Sequence, residues 1–238
     1  MLAQVSLTPT ESKKLIAKAV VNLDVVKKAM DQGTVVMHPS SSTIFIAEEI
    51  TGESPKTPVW LCGLIAPKGA CGSLEVAQLM AGIAGHQEAD VVRVNPAGFP
   101  LSWVVRGKEL SMGTTLADLL EEMGPEDVYI KGVNALDAEG TVGVLVGNRV
   151  EGGTMGRVTS AQRRKGFSLI FPVGLEKLIP GRIREVAKEA KKTKYDYSMG
   201  MNCGLLPCKG ITVTEPRAIE ILSGATAIPI AAGGLGGA

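Results

Sequence analysis

Aromatic residues are scarce in this chain: phenylalanine, tyrosine and tryptophan make up 4% of its 238 residues. The core must therefore be built from valine, isoleucine, leucine, alanine and methionine. Charge of one sign is also lacking, because 25 lysines and arginines nearly balance 24 aspartates and glutamates, which leaves a formal net charge of +1. A charge this small argues against a general nucleic-acid binder and against a protein that binds acidic membrane surfaces.

Two kinds of targeting segment are missing as well. No basic leader followed by an apolar stretch opens the chain, and no apolar run reaches about 18 residues, the length expected of a membrane span. We therefore expect a cytoplasmic protein that has no membrane partner.

Cysteine is present but spaced unlike a metal site. Cys62 and Cys71 are separated by eight residues, and Cys203 and Cys208 by four. Neither pair has the two-residue gap typical of zinc sites. We expect reduced structural thiols, no bound metal and no cofactor. The alternative, a thiolate metal or redox protein, requires the two pairs to meet in space.

Predicted strands alternate with predicted helices along most of the chain. Short apolar runs at Thr34–Met37, Asp127–Ile130 and Phe167–Phe171 are typical of strands buried on both faces of a parallel sheet. The fold class predicted is α/β, Rossmann-like, with a mainly parallel sheet and helices on both faces. Residues 1–192 form the main domain in this interpretation, and residues 193–238 form a small α+β subdomain with a strand–strand–helix–strand order.

A run of four hydroxyl side chains follows the first of these strands. Ser40, Ser41, Ser42 and Thr43 lead directly into a predicted helix that opens at about Ile44. Helix N-termini carry unpaired N–H groups and a partial positive charge, so they bind phosphate or carboxylate readily. The alternative is an ordinary connection in which one hydroxyl caps the helix and the others are solvated.

An acidic loop follows the second strand. It holds Lys131, Asn134, Asp137 and Glu139 within nine residues. One carboxylate could act as a general base while Lys131 holds a developing oxyanion. The alternative is an Asx-type turn in which Asn134 and Asp137 only shape the backbone.

Two further groups are candidates for the same site. Gly152 and Gly153 form a turn flanked by Glu151 and Arg157, although a solvated hairpin tip would explain that pattern too. His38 ends the first strand, where a neutral imidazole could shuttle protons or simply be satisfied by the protein. Because ligands of parallel sheets bind beyond the carboxyl ends of the strands, we expect the hydroxyl loop and the acidic loop to converge.

The segment Asp127–Val144 resembles the strand and acidic loop of a known superfamily. That superfamily joins ribose-5-phosphate isomerase, glucosamine-6-phosphate deaminase, the CoA transferases and the lactate-utilisation (LUD) proteins. The loop Pro39–Thr43 is similar to its phosphate- or carboxylate-binding loop, and Phe167–Gly174 is similar to a later strand over the site. The chain departs from the pattern at Lys131, where the isomerases have an aspartate, and lacks a clear counterpart of the nucleophilic glutamate segment of CoA transferases.

The resemblance implies an enzyme of isomerase or acyl/CoA-transfer type that acts on a small phosphorylated or carboxylated metabolite. The alternative is a catalytically silent ligand-binding or regulatory protein of the same fold. Candidate catalytic residues are Asp137, Glu139 and Lys131, and candidate substrate-binding residues are Ser40, Ser41, Ser42, Thr43, Asn134, Gly152 and Gly153. The partners expected are a small anionic metabolite and a second copy of the chain, in a homodimer or a higher homo-oligomer, and no nucleic acid.

Overall fold

The computed structural model describes residues 2–55, 60–61, 72–73, 102–112, 114–146, 152–192, 195–197 and 203–232. Its α-helices are α1 (Pro9–Val21), α2 (Asp24–Gln32), α3 (Thr43–Thr51), α4 (Leu116–Glu122), α5 (Gly153–Lys165), α6 (Ile183–Lys192) and α7 (Glu215–Ser223). Its strands are β1 (Val35–Met37), β2 (Trp60–Leu61), β3 (Gly72–Ser73), β4 (Trp103–Arg106), β5 (Glu109–Ser111), β6 (Val128–Ile130), β7 (Ala135–Leu136), β8 (Val142–Val146), β9 (Ser168–Pro172), β10 (Gly204–Cys208) and β11 (Ile211–Val213).

The first helix begins with the local signal that its sequence carries. The Thr8 hydroxyl accepts the Glu11 N–H, and the Glu11 carboxylate accepts the Thr8 N–H at 2.8 Å, which is a complete capping box. These hydrogen bonds hold the pKa of Glu11 below its usual value. Pro9 occupies the first turn, where its missing N–H costs nothing.

Six strands form the main sheet in the order β11-β9-β6-β1-β4-β5. The four strands from β11 to β1 run parallel, whereas β4 and β5 are antiparallel additions at one side. The prediction of an α/β protein with a mainly parallel sheet is confirmed.

Helices cover both faces of this sheet, as predicted. Neighbouring strands keep a register that places Val36 beside Tyr129 and Tyr129 beside Leu169, and these side chains pack with α4 and α5. The alternate row, Met37 and Ile130, packs on the opposite face with α1, α2, α3 and α7. Period-two alternation therefore sends each strand into two separate cores.

A second, antiparallel sheet joins β10, β8 and β7 in that order. It lies against the α5 side of the main sheet, since Val142, Val144 and Cys208 share a core with Tyr129 and Phe171. The chain enters this sheet directly after β6, so it adjoins the carboxyl edge of the parallel strands.

The separate C-terminal subdomain is not confirmed. β10 belongs to the small sheet, β11 is the edge strand of the main sheet, and α7 packs against α1. Residues 225–232, predicted as the last strand of that subdomain, contain no strand. Within the described ranges, no helix has the combination of length and apolar character needed to cross a membrane.

The capping box supplies a direct test of the local interpretation. Replacing Thr8 with alanine should lower the free energy of unfolding by about 1 kcal/mol, because the first turn of α1 loses its side-chain acceptor. Thr10→Ala, two residues further into the same helix, is the matched control and should change stability by less than about 0.5 kcal/mol. Urea unfolding followed by circular dichroism measures both, and equal losses would contradict a specific capping role.

Candidate functional site

The hydroxyl loop and the start of the acidic loop meet at the carboxyl edge of the main sheet. β1 ends at Met37 and β6 ends at Ile130, and these strands are parallel neighbours. A Cβ atom built on Gly132 would lie 3.1 Å from the Ser40 hydroxyl oxygen and 3.7 Å from Cβ of Ser42. The two loops are therefore in van der Waals contact, as the topology predicts.

A row of buried polar side chains crosses this edge on the α5 side of the sheet. His38 follows Val36 by two residues and Lys131 follows Tyr129 by two, so both lie on the same face. Continuing the antiparallel register, in which Met37 faces Trp103, sets Ser102 opposite His38. Relative exposure is 0% for Ser102, 4% for His38 and 7% for Lys131.

Three atoms of this region have no hydrogen-bond partner among the described residues. They are Nδ1 of His38, the hydroxyl of Ser102 and the hydroxyl of Tyr129, and each is buried. Buried polar groups in proteins are almost always hydrogen-bonded, so an orphaned group needs an explanation such as a ligand or water. That all three occupy one face of the sheet, at or within two residues of one edge, marks this face as a candidate binding site. His38, Ser102, Tyr129 and Lys131 are called the buried row below.

The first turn of α5 extends toward the same edge. The C-terminal end of α5 lies at the amino edge of β6, since Gly166 faces Pro125 and the Lys165 ammonium binds the Glu121 backbone carbonyl. The helix rises about 1.5 Å per residue, so its 13 residues span the sheet and bring its N-terminus to the carboxyl edge. Arg157, in the first half of the helix, is near enough to the Tyr129 hydroxyl to affect its ionisation.

Electrostatics at the edge favour a neutral histidine. Burial, and secondarily the positive charge of Lys131, hold the pKa of His38 well below its usual value. Burial raises the pKa of Tyr129, with Arg157 opposing that shift. The two side chains are therefore neutral near pH 7 and can donate or accept a proton in a hydrogen bond.

Cys208 approaches the same region from β10. Burial raises the pKa of its thiol to about 12, although Lys131 lies close enough to oppose that rise. The thiol points toward the Leu206 carbonyl at 3.5 Å. A thiol with so high a pKa carries almost no thiolate near pH 7, so Cys208 is unsuited to act as a nucleophile.

The hydroxyl loop satisfies much of its own hydrogen bonding. The Ser40 hydroxyl accepts the N–H groups of Ser42 and Thr43 at 3.4 and 3.2 Å, and the Thr43 hydroxyl donates to the His38 carbonyl at 2.7 Å. The Ser40 side chain therefore satisfies N–H groups at the start of α3, although the N-cap residue itself, Ser42, makes no side-chain capping hydrogen bond. This is the plainer of the two interpretations of the sequence. Ser41 and Ser40 are half-buried and Ser42 is buried, so an anion at this loop would contact the hydroxyls of Ser41 and Ser42 rather than the N–H groups of Ser42 and Thr43.

Asp137 is enclosed by backbone donors. Its carboxylate accepts the N–H groups of Glu139 at 3.1 Å, Thr141 at 2.8 Å and Ile183 at 3.0 Å. Burial opposes ionisation, but these hydrogen bonds outweigh it and hold the pKa of Asp137 below its usual value. This geometry favours the turn-shaping alternative for Asp137, and a general-base role stays a prediction.

The other residues of the acidic loop also have partners in the protein. Glu139 is exposed and pairs with Arg182 at 2.9 Å, an ion pair that contributes little to stability at the surface. Asn134 accepts the Leu145 N–H at 3.0 Å and so binds the loop to β8. Lys131 is the member of this loop whose strand position places it on the face that holds the orphaned groups.

Gly152 and Gly153 begin α5 rather than a hairpin tip. Their φ angles are +74° and +56°, a left-handed conformation that residues with a Cβ rarely adopt. A Cβ on Gly152 would lie 3.3 Å from Leu206 of β10, so this turn packs closely on the small sheet. The turn lies toward the carboxyl edge, but no described contact joins it to Ser40. Glu151, its predicted neighbour, lies outside the described residues.

The loops at this edge are fixed by side chains from elsewhere in the chain. The Lys177 ammonium donates to the Val133 carbonyl at 2.6 Å, and burial lowers its pKa. The Glu215 carboxylate accepts the Leu175 N–H at 3.0 Å and the Ser12 hydroxyl at 2.6 Å. These contacts bind the loop after β9 to the loop after β6 and to helices α1 and α7.

The structure describes two of the four cysteines, Cys203 and Cys208. Cys203 and Cys208 form no disulfide, and no group of three or more histidine, cysteine, aspartate or glutamate side chains among the described residues is placed to hold a metal ion. Cys62 and Cys71 lie outside the described residues, so the convergence of the two pairs stays untested.

Comparison of this chain with protein-family models, with curated proteins and with solved structures finds no match. The superfamily resemblance carried by Asp127–Val144 therefore stays an expectation from the sequence.

Two members of the buried row were not identified from the sequence. Ser102 and Tyr129 lie in apolar runs typical of core strands, and although Tyr129 falls within Asp127–Val144, its position in the strand gave no sign of a role in binding. The alternation of side chains along a strand could have identified Tyr129, because it precedes Lys131 by two residues and such positions share one face of a strand. Ser102 requires the pairing of β4 with β1, which local sequence does not specify.

The turn-shaping role of Asp137 predicts a stability loss with a defined pH dependence. Asp137→Asn should lower the free energy of unfolding by about 2 kcal/mol at pH 7, because an amide nitrogen would face a backbone N–H. Its native pKa lies below the usual 3.8, so the carboxylate stabilises the fold above about pH 4 and loses this effect as pH falls further. The difference between wild type and variant should therefore shrink below pH 4, whereas exposed Asp31→Asn should be nearly silent at any pH.

Burial of neutral His38 predicts that the stability of the fold decreases below about pH 6.5, a higher pH range than for Asp137. The native state keeps it neutral, whereas the unfolded chain protonates it near pH 6.5. Stability should thus be greatest above pH 6.5 and fall by about 1.4 kcal/mol per pH unit below it, until the native pKa is reached. His38→Gln removes this slope, so between pH 8 and pH 5 the variant should gain on the order of 2 kcal/mol relative to wild type. A gap independent of pH, measured by urea unfolding, would contradict a buried neutral His38.

Proposed function

We propose that this protein is an enzyme that moves a proton next to the carbonyl group of a small phosphorylated or carboxylated metabolite, as an isomerase does. The observation that carries the proposal is the set of orphaned buried atoms on His38, Ser102 and Tyr129 beside Lys131. Hydroxyl, imidazole and ammonium groups on one face supply both kinds of hydrogen-bond partner that a hydroxy-carbonyl compound requires.

The chemistry assigned to these residues follows from their electrostatics. Neutral His38 removes the proton from the carbon beside the carbonyl, and the Lys131 ammonium stabilises the negative oxygen of the resulting enediolate. The proton then returns to the neighbouring carbon while a hydroxyl proton moves between the two oxygens. The atoms balance without any co-reactant.

A bound anion makes His38 a better base. Burial and, secondarily, the Lys131 charge lower its pKa. An anionic ligand between the two side chains offsets the charge of Lys131 and raises the pKa of His38 toward neutrality, where general bases are most effective. The hydroxyls of Ser41 and of Ser42, the latter beside Gly132, are assigned to the phosphate or carboxylate group of the substrate.

Acyl or CoA transfer receives less support from the described residues. A covalent mechanism needs an activated nucleophile. The Cys208 thiol has a pKa of about 12, the Asp137 carboxylate is held by three N–H groups, and Glu139 is paired with Arg182 at the surface. Proton transfer needs no nucleophile and uses the neutral imidazole of His38 and the positive charge of Lys131.

The test is exchange of the carbon-bound proton with solvent. Wild type in D₂O, incubated with a panel of aldose phosphates, ketose phosphates and small 2-oxo acids, should remove the proton signal next to the carbonyl of at least one compound. His38→Gln should slow this exchange about 100-fold or more while binding persists, as expected for loss of a general base. Lys131→Gln should weaken both steps, whereas Lys108→Gln, in the exposed β4–β5 turn, serves as the matched control and should change neither.

The alternative functions give different results. A ligand that binds at the buried row, detected by calorimetry and abolished by Lys131→Gln, but that exchanges no proton would favour the catalytically silent binding protein. If no compound of the panel binds or exchanges, or if His38→Gln retains full exchange, the proposal is wrong.

A further inference from the structure

A cleft of about 330 Å³ opens on the α5 side of the main sheet, and its lining includes Cys208, near Lys131, but none of the four residues of the buried row. It lies between the C-terminal half of α5, the start of β9, and the turn from β10 to β11. Side chains at its rim and floor include Thr159, Gln162, Arg163, Arg184, Cys208 and Lys209.

The charge of this cleft is of one sign. Arg163, Arg184 and Lys209 come from three separate parts of the chain, and the described lining contains no carboxylate. None of the three makes an ion pair with a described residue, unlike Arg182 and Lys165 nearby, which bind Glu139 and Glu121. Three unpaired cations around one depression repel one another, and a bound anion removes that repulsion.

The interior of the cleft strengthens this attraction. Leu169 and Cys208 are buried apolar groups at its floor, and low-dielectric walls screen charge less than water does. The side-chain amide of Gln162, half-buried on α5, has no hydrogen-bond partner among the described residues and can donate two hydrogen bonds.

We propose that this cleft binds a diphosphate group, either as inorganic pyrophosphate or as part of a diphosphate ester. At about 330 Å³ the cleft falls within the size range of small-molecule sites, so it has room for a diphosphate of nine heavy atoms. Its three negative charges equal the three cations, whereas a monophosphate would leave at least one unneutralised. Arginine forks suit phosphate oxygens well. The site is independent of the proton-transfer function, since none of its cations belongs to the buried row.

Calorimetric titration of the full chain with inorganic pyrophosphate tests the proposal. Arg163→Gln and Arg184→Gln should each weaken binding about tenfold or more, because each removes a charge-assisted hydrogen bond, and Lys209→Gln should weaken it several-fold. The matched control is Arg164→Gln: Arg164 is the exposed neighbour of Arg163 on α5, but its guanidinium donates to Ser160 at 3.1 Å and does not line the cleft. It should change the affinity less than twofold.

Parallel titrations with phosphate, citrate and adenosine diphosphate define the ligand class. Tighter binding of adenosine diphosphate than of pyrophosphate identifies a diphosphate ester, and the reverse order identifies the free anion. Absence of pyrophosphate binding, equal affinity for phosphate or citrate, or equal losses in the Arg163 and Arg164 variants would overturn the proposal. Arg163→Gln should leave proton exchange at the buried row intact, so failure at one site is distinguishable from failure at the other.

Discussion

Complete enclosure of the central strands is the constraint on which the rest of this structure depends. Every residue of β1 and β6 is buried, with helices on both faces. In such a layer a polar side chain without a partner costs roughly 1–3 kcal/mol. Three orphaned groups, on His38, Ser102 and Tyr129, therefore cost on the order of 3–9 kcal/mol. That amount is comparable to the whole net stability of a typical domain, about 5–15 kcal/mol. Hydrogen bonds from bound water or a ligand to these three groups would therefore stabilise the fold substantially.

The same layer explains why residues far apart in sequence form one site. Ser102, His38 and Lys131 come from three strands, and strand register alone makes them neighbours. Parallel pairing of β1 with β6 brings their carboxyl ends together, and antiparallel pairing of β4 brings the start of that strand to the same edge. The polar groups lie where the layer opens, because only there can a small molecule reach them.

Local signals in the sequence predicted what local physics decides. The first strand and the helix after the hydroxyl loop were both predicted from residues a few positions apart. Convergence of the two loops also followed, because parallel strands impose it. Local sequence did not predict which distant strands pair. Nothing near Ile211 indicates that β11 pairs with β9, so a separate C-terminal subdomain was expected.

The candidate site was predicted by position better than by role. Lys131 and the hydroxyl loop were identified because each follows a strand. Asp137 was considered a general base, yet its carboxylate accepts the N–H groups two and four residues ahead, which is the geometry of an Asx turn. A spacing of acidic residues cannot show whether a carboxylate faces its own backbone or a ligand. Burial of Lys131 on the face that holds His38 could be established only from the packed sheet.

The two regions of positive charge should respond differently to salt, because their surroundings differ. Lys131 is almost fully enclosed by protein, so few mobile ions surround it and its field acts with little screening on a ligand in the buried row. Arg163, Arg184 and Lys209 are exposed at the rim of an open cleft, and a Debye length of about 8 Å at physiological ionic strength screens them. Anion binding at the cleft should therefore weaken steeply as salt is raised, while binding at the buried row changes little. The near-zero net charge of the chain thus includes two cationic regions: the exposed cleft, which salt screens, and the enclosed Lys131, which salt screens little. Varying the ionic strength separates their contributions to anion binding without any mutation.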